Sequence, residues 1–180
     1  MSDISRICAL APVIPVLVID RLEDAQPLAA ALVAGGLPVL EVTLRTPVAL
    51  AALAEMAQVA GAVVGAGTIL TDQDLDRAIN AGAVFGVSPG STPGLRRAIA
   101  ASGLPFVPGA ATASEVMTLA EAGFEIAKLF PAQQAGGVDL LRALAGPLPA
   151  MRFCPTGGIG AATAPEYLAL PNVACVGGSW

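Results

Sequence analysis

Eight short apolar runs alternate along this chain with alanine-rich stretches long enough for helices, and that alternation limits the fold more than any single motif does. The strand-like runs fall at residues 13–19, 38–44, 62–66, 83–88, 105–108, 125–130, 151–154 and 173–177. Helical candidates lie between them at 23–34, 47–59, 72–81, 93–101, 113–122, 137–145 and 163–168. Such a series predicts a parallel sheet with right-handed crossovers, and eight units predict closure into a (β/α)8 barrel. An open doubly wound sheet is the competing architecture, but no Gly-x-Gly-x-x-Gly follows the first run, where dinucleotide folds carry it. Residues 3–10 are expected to form a short helix closing the bottom of the barrel. After the eighth run stand Gly178-Ser179-Trp180, so the helix that would cover strands eight and one is expected to be missing, its place falling to a neighbouring subunit or left by truncation.

At 180 residues the chain suits one domain with a real core. Its longest uncharged apolar run, 10–19, is too short and too proline-broken to span a bilayer, and no basic leader precedes it; a cytoplasmic location is expected. A net charge of -5, with the nine basic residues mostly scattered singly, argues against nucleic acid and membrane surfaces as partners. Cys8, Cys154 and Cys175 are expected to be buried thiols. The chain has no histidine, which excludes Ser-His-Asp triads, imidazole zinc sites and histidine acid/base pairs.

What remains for chemistry is one amine, several carboxylates and backbone dipoles. Lys128 is the single lysine beside eight arginines. An ammonium placed where every other cation is a guanidinium suggests a group that must lose its proton and attack a carbonyl. Period-2 alternation puts Ile126, Lys128 and Phe130 on one strand face and Leu129 on the other, toward the helices. The plainer alternative is a strand-end lysine whose head reaches water. On the second run, Glu41, Thr43 and Arg45 share the face opposite Leu40, Val42 and Leu44 and are expected to point into the barrel. A carboxylate and guanidinium there cost desolvation that a merely stable barrel would avoid, although a structural Glu41–Arg45 ion pair is possible.

Barrel sites lie at the carboxyl ends of the strands. Gly65-Ala66-Gly67-Thr68 ends the third run and brings backbone and one hydroxyl close to a ligand. Ser88-Pro89-Gly90-Ser91-Thr92-Pro93 after the fourth run supplies Ser91 or Thr92 as a helix cap. Thr156-Gly157-Gly158 and Gly177-Gly178-Ser179 end the last two runs, the positions where barrels commonly hold a phosphate. The sum is an inward lysine, a carboxylate, an arginine and an anion cradle, a set that suits a phosphorylated ketone held as an imine during carbon–carbon cleavage.

The segments Glu41-Val42-Thr43-Leu44-Arg45-Thr46, Gly65-Ala66-Gly67-Thr68, Ser88-Pro89-Gly90, Lys128 with Phe130-Pro131-Ala132, Arg152-Phe153-Cys154-Pro155-Thr156-Gly157-Gly158-Ile159 and Gly177-Gly178-Ser179-Trp180 together resemble the motifs of the 2-keto-3-deoxy-6-phosphogluconate aldolase family. That resemblance runs along nearly the whole chain. It implies a cofactor-free class I aldolase of the Entner-Doudoroff pathway, releasing pyruvate and D-glyceraldehyde 3-phosphate, on a barrel assembled as a homotrimer. It further implies Lys128 as the Schiff-base residue and Glu41 as the general acid/base. Arg45, Thr68, Pro89 and Phe130 would line the pyruvate end, with Thr156 near the substrate hydroxyls and Gly157, Gly158, Gly178 and Ser179 at the phosphate.

The chain departs from the pattern at Leu129 and Gln133, where many relatives have phenylalanine and glutamate; Leu129 should be harmless, while Gln133 should affect the loop above the site. 2-Keto-4-hydroxyglutarate and the 6-phosphogalactonate isomer are alternative substrates. A phosphosugar isomerase or epimerase on the same barrel, and a non-catalytic assembly subunit, are alternatives from other classes.

Overall fold

The computed structural model describes residues 3–180. Its elements run α1 (Asp3–Cys8), β1 (Val13–Leu17), a 3-10 turn (Leu22–Asp24), α2 (Ala25–Ala34), β2 (Val39–Thr43), α3 (Ala49–Met56), β3 (Val63–Gly67), α4 (Asp72–Asn80), β4 (Gly86–Val87) and α5 (Pro93–Ser102). The second half continues with β5 (Phe106–Val107), β6 (Gly109–Ala110), α6 (Ala113–Glu121), β7 (Ile126–Leu129), α7 (Ala132–Ala135), α8 (Gly137–Ala145), β8 (Arg152–Phe153), α9 (Ala164–Leu168) and β9 (Val176–Gly178).

All strand pairs are parallel, in the orders β5-β4-β3-β2-β1-β9 and β6-β7-β8. Two seams join these sheets into the expected (β/α)8 architecture. At one, the fifth barrel position is split into β5 and β6 around Pro108, which has no N–H to give the ladder but accepts from the Lys128 N–H at 2.8 Å. At the other, β8 meets β9 through the bridges Phe153↔Val173 and Thr156↔Gly177, reinforced by a 2.9 Å bond from the Gly177 N–H to the Pro155 carbonyl. The eighth strand thus begins later than its apolar run, and residues 105–108 do not form one continuous strand. No helix follows β9 among the described residues, and an apolar groove lies there between β1, β9 and α2, lined in part by Val13, Leu17, Leu28, Leu32 and Trp180.

Burial follows the alternation. Ile14, Val39, Phe85, Val87, Val107 and Ile126 fill the interior, and α1 plugs its base with Ile4 and Cys8. Residues of opposite parity, such as Leu40 and Val42 on β2 or Ala127 and Leu129 on β7, pack outward against the helices. A side chain as large as Phe85, wholly buried, contributes roughly 1.5–3 kcal/mol by its removal from water.

Three helices, α4, α5 and α6, start where threonine ends an extended segment. Thr71 and Thr112 form capping boxes with Asp74 and Glu115, and Thr92, not Ser91, caps α5 ahead of Pro93. The Glu115 carboxyl lies below its ordinary pKa: the Ala111 N–H is the main cause, burial opposes it, and the Thr112 hydroxyl and N–H add to the lowering. A depressed folded pKa stabilises above the unfolded pKa, and that stability is lost as pH falls through the folded value. Glu115→Gln should therefore cost about 0.5 kcal/mol near neutral pH, the scale of an exposed carboxylate at a helix N-terminus. The deficit should vanish below the carboxylate range, as measured by denaturant melts across pH.

Candidate functional site

Lys128 and Glu41 meet inside the barrel. The lysine Nζ stands 3.0 Å from Oε1 and 3.5 Å from Oε2 of the glutamate, with residue exposures of 3% and 2%. β7 delivers the amine because Ile126 and Lys128 share its inward parity, and β2 delivers the carboxylate by the same rule through Val39 and Glu41. The alternative Glu41–Arg45 ion pair does not form, and Arg45 lines the cleft at the mouth of the barrel. β2 ends at Thr43, so Arg45 sits on the rim beyond it, exposed, and the period-2 argument no longer governs its direction. The alternative of a lysine reaching water also fails, since the Lys128 head is buried against the carboxylate.

Room for this pair comes from β3. Gly65 and Gly67 both turn inward. A Cβ on Gly65 would strike the Phe85 ring, and one on Gly67 would overlap the Glu41 carboxylate. The glycines of Gly65-Ala66-Gly67 therefore create the space in which a large aromatic and a buried carboxylate fit side by side.

Above the pair opens a cleft of about 190 Å³ lined by Val16, Val18, Arg45, Phe130, Thr156, Gly157 and Gly158, and completed by Ile159, Gly177, Gly178 and Ser179. Seven of the residues selected from the sequence meet here. Phe130 links cleft to amine, its ring centroid 5.5 Å from the Lys128 Nζ, within cation–π range. Thr68 stands just outside the lining and accepts a 3.0 Å hydrogen bond from Arg45 Nε. Its φ of 61° is left-handed, an outlier for a β-branched residue that costs on the order of 1–3 kcal/mol. Pro89 is outside that lining, as Lys128 and Glu41 are; its carbonyl packs against the face of Gly109 that Lys128 shares by register.

The cleft floor is a glycine turn. Gly157 and Gly158 have φ of 104° and 74°, values side-chain-bearing residues rarely adopt. The turn is held from α7, where the Ala132 N–H donates to the Thr156 carbonyl at 2.9 Å and the Gln133 N–H to the Gly157 carbonyl at 3.1 Å. Gln133 lays its side chain over Gly158, so the residue that departs from the family motif contacts the cleft floor directly. Val16, Val18, Ile159 and Gly177 were not selected from the sequence. Ile159 and Gly177 stood within quoted motifs, and the alternation of β1 was the available signal for Val16. Among the described residues, no group of three or more His, Cys, Asp or Glu side chains is disposed to hold a metal ion.

Comparison with known proteins gives a consistent result. Residues 4–180 match the family model described as KDPG and KHG aldolase. A 2-dehydro-3-deoxy-phosphogluconate aldolase of Zymomonas mobilis is 52% identical over 180 residues, all of this chain and 86% of that protein. The crystal structure of the 2-keto-3-deoxy-6-phosphogluconate aldolase of Zymomonas mobilis ZM4 with 3-phosphoglycerate superposes with a TM-score of 0.97 at 52% identity, covering 99% of this chain and 85% of that one. The KDPG aldolase of Legionella pneumophila, with pyruvate captured at low pH as a covalent carbinolamine, gives a TM-score of 0.96 at 49% identity over 99% of this chain and 87% of that one.

Because Gly67 has no space for a methyl group beside Glu41, Gly67→Ala should destabilise the fold by roughly 1–3 kcal/mol, the cost of overpacking a filled interior. Ala66→Gly, whose side chain lies in the outer layer, serves as a control on the same strand. Urea melts of the two variants should separate the effects: loss of the Glu41 position requires Gly67→Ala to lower activity more than its stability deficit explains.

Proposed function

Since the chain belongs to the KDPG and KHG aldolase family and is an aldolase, a carbon–carbon lyase, we propose that it cleaves 2-keto-3-deoxy-6-phosphogluconate through an imine on Lys128. The observation that carries the mechanism is the 3.0 Å contact between a buried amine and a buried carboxylate, joined to the cleft by the Phe130 ring. An imine-forming lysine must give up a proton before it attacks, and Glu41 is placed to receive it. The amine adds to the substrate C2 carbonyl, Glu41 returns its proton to the resulting carbinolamine hydroxyl, and water leaves, giving a protonated imine and a free carboxylate. Glu41 then takes the C4 hydroxyl proton, the C3–C4 bond breaks with departure of D-glyceraldehyde 3-phosphate, and its electrons pass into the imine as an enamine. Protonation at C3 and hydrolysis release pyruvate and return the amine.

The rest of the cleft divides the binding. Arg45, steadied by Thr68, supplies the cation for the substrate carboxylate, and Phe130 covers the reacting end beside Lys128. Pro89 stands at that end too, its carbonyl against Gly109, the register partner of Lys128. Thr156 faces the hydroxyl-bearing carbons, and Gly157, Gly158, Gly178 and Ser179 form the phosphate cradle. The carbinolamine in the Legionella pneumophila structure and the 3-phosphoglycerate in the Zymomonas mobilis structure support both halves of this reading. A homotrimer in the cytoplasm completes the proposal; no helix of the described residues is long and apolar enough to cross a membrane.

Borohydride reduction in the presence of pyruvate should add one reduced pyruvate unit per chain, mapped to the peptide containing Lys128. The α-amino group is the single competing amine, because the sequence has no other lysine. Lys128→Arg should abolish the adduct, since a guanidinium stays protonated. Cleavage without a trappable adduct would remove the imine. Glu41→Gln should lower kcat by roughly 10²- to 10⁴-fold, the range for lost general acid/base catalysis, while circular dichroism stays unchanged. Sedimentation equilibrium should report three chain masses; a stable monomer would contradict the assembly.

A further inference from the structure

The phosphate end of the cleft has no cation of its own. Among the residues that line the cleft, Arg45 carries the one positive charge, and the end assigned to the phosphate consists of Thr156, Gly157, Gly158, Gly178 and Ser179. Affinity for a dianion there depends on backbone N–H groups and hydroxyls, which are dipoles without net charge. Such an end is sensitive to the side chains that touch it, because no fixed opposite charge offsets a wrong one.

Gln133 touches it from α7. A Cβ on Gly158 would meet the Gln133 Cβ at 2.7 Å and overlap its Oε1, so the glutamine side chain lies along that glycine from root to tip. The backbone of Gln133 is fastened to the same turn, its N–H donating to the Gly157 carbonyl at 3.1 Å, and its carbonyl accepts from the Gly136 N–H at 3.3 Å where α7 ends. Its side-chain amide, by contrast, has no hydrogen-bond partner in the protein among the described residues. On the far side of Gly158 from the cleft, Gln133 and the exposed Glu166 share a second hollow of about 180 Å³, so one carboxylate already stands near the turn.

We propose that Gln133 is a specificity-determining residue for the phosphate end, its neutral amide bracing Gly158 and offering an NH2 to the phosphate. The inference rests on the phosphate cradle proposed above and adds a side chain to it. Turning about the last side-chain bond exchanges the amide oxygen that faces Gly158 for the NH2 without moving the rest of the residue, and no protein partner opposes the turn. A carboxylate of the same length has acceptors alone, and at this position it would join Glu166 as a second negative charge beside an anion-binding turn. Lys128 and Glu41 are buried and reach the cleft through Phe130, so a change at 133 is read in phosphate binding and not in imine formation.

The test compares cleavage of 2-keto-3-deoxy-6-phosphogluconate with cleavage of the same ketone lacking its phosphate, with inorganic phosphate as a competing anion. It uses the full chain and its variants Gln133→Met, Gln133→Glu and Gln134→Glu, each checked for an unchanged circular dichroism spectrum. Methionine keeps the length and the packing on Gly158 but has no N–H, while glutamate keeps the shape and adds charge. KM for the phosphorylated substrate and the inhibition constant of inorganic phosphate should rise about threefold in Gln133→Met and roughly tenfold in Gln133→Glu, the sizes of one exposed hydrogen bond and of a like-charge contact screened by water. Added salt should shrink the gap between the two variants. KM for the unphosphorylated ketone, and the pyruvate concentration that half-saturates borohydride trapping, should stay within about twofold. Gln134→Glu places the same charge one residue along α7 and should match the unaltered chain. Unaltered phosphate affinity in both Gln133 variants, or a rise in KM shared equally by the unphosphorylated ketone, would overturn the role of Gln133. Failure of inorganic phosphate to inhibit the unaltered chain would instead overturn the cradle on which that role rests.

Discussion

The structure depends on one buried ion pair. Bringing Glu41 and Lys128 out of water costs several kcal/mol per charge, and the contact repays this only at close range with both partners present. Removing either partner would strand the other charge in the interior, a loss of roughly 3–5 kcal/mol in buried pairs generally. That dependence reaches into the neighbouring strands. β3 gives up side chains at Gly65 and Gly67 so that Phe85 and the carboxylate can pack, and β6 sets Gly109 opposite Lys128. A site made of two charges is thus held by a shell of missing side chains, so the volume around the pair is as specified as the pair itself.

The cleft extends this logic outward with less burial and more backbone. Arg45 is exposed and steadied by a neutral hydroxyl, leaving its charge for a ligand. Thr68 holds a left-handed conformation to make that bond, which is strain of the kind that collects at sites where geometry matters more than stability. The Gly157–Gly158 turn is fastened by α7 through backbone bonds, so its shape does not depend on solvent-exposed side chains.

Much of this was legible in the sequence because two periodicities carry it. Alternation placed Ile126 and Lys128 inward and Leu129 outward, and the run of strands and helices placed the glycine motifs at one end of a barrel. What was not legible are the contacts between distant residues. Glu41 and Lys128 are 87 positions apart, so alternation turned both into the barrel without fixing the contact between them, and it left a Glu41–Arg45 ion pair open as an alternative. That reading extended the period-2 rule past Thr43, where the strand stops. Pro108 split the fifth strand because its missing N–H matters only once its ladder neighbours are known. Pro89 was expected at the pyruvate end, and its carbonyl packs against Gly109, the register partner of Lys128, a contact between strands that the sequence contains no signal for. The meeting of Cys8, Cys154 and Cys175 in one interior cluster was hidden in the same way, by their wide spacing.

The split at Pro108 also divides the outer packing. One set of helices covers the wall from β1 to β5, another covers the wall from β7 to β9, and Phe124 touches both. The carboxylate belongs to the first shell and the amine to the second. The two halves of the molecule therefore resemble the jaws of a clamp, with the reactive groups mounted on opposite jaws. Neither jaw alone contains both groups, and a ligand that touches amine and carboxylate together also bridges the seam where the strand ladder changes sheets.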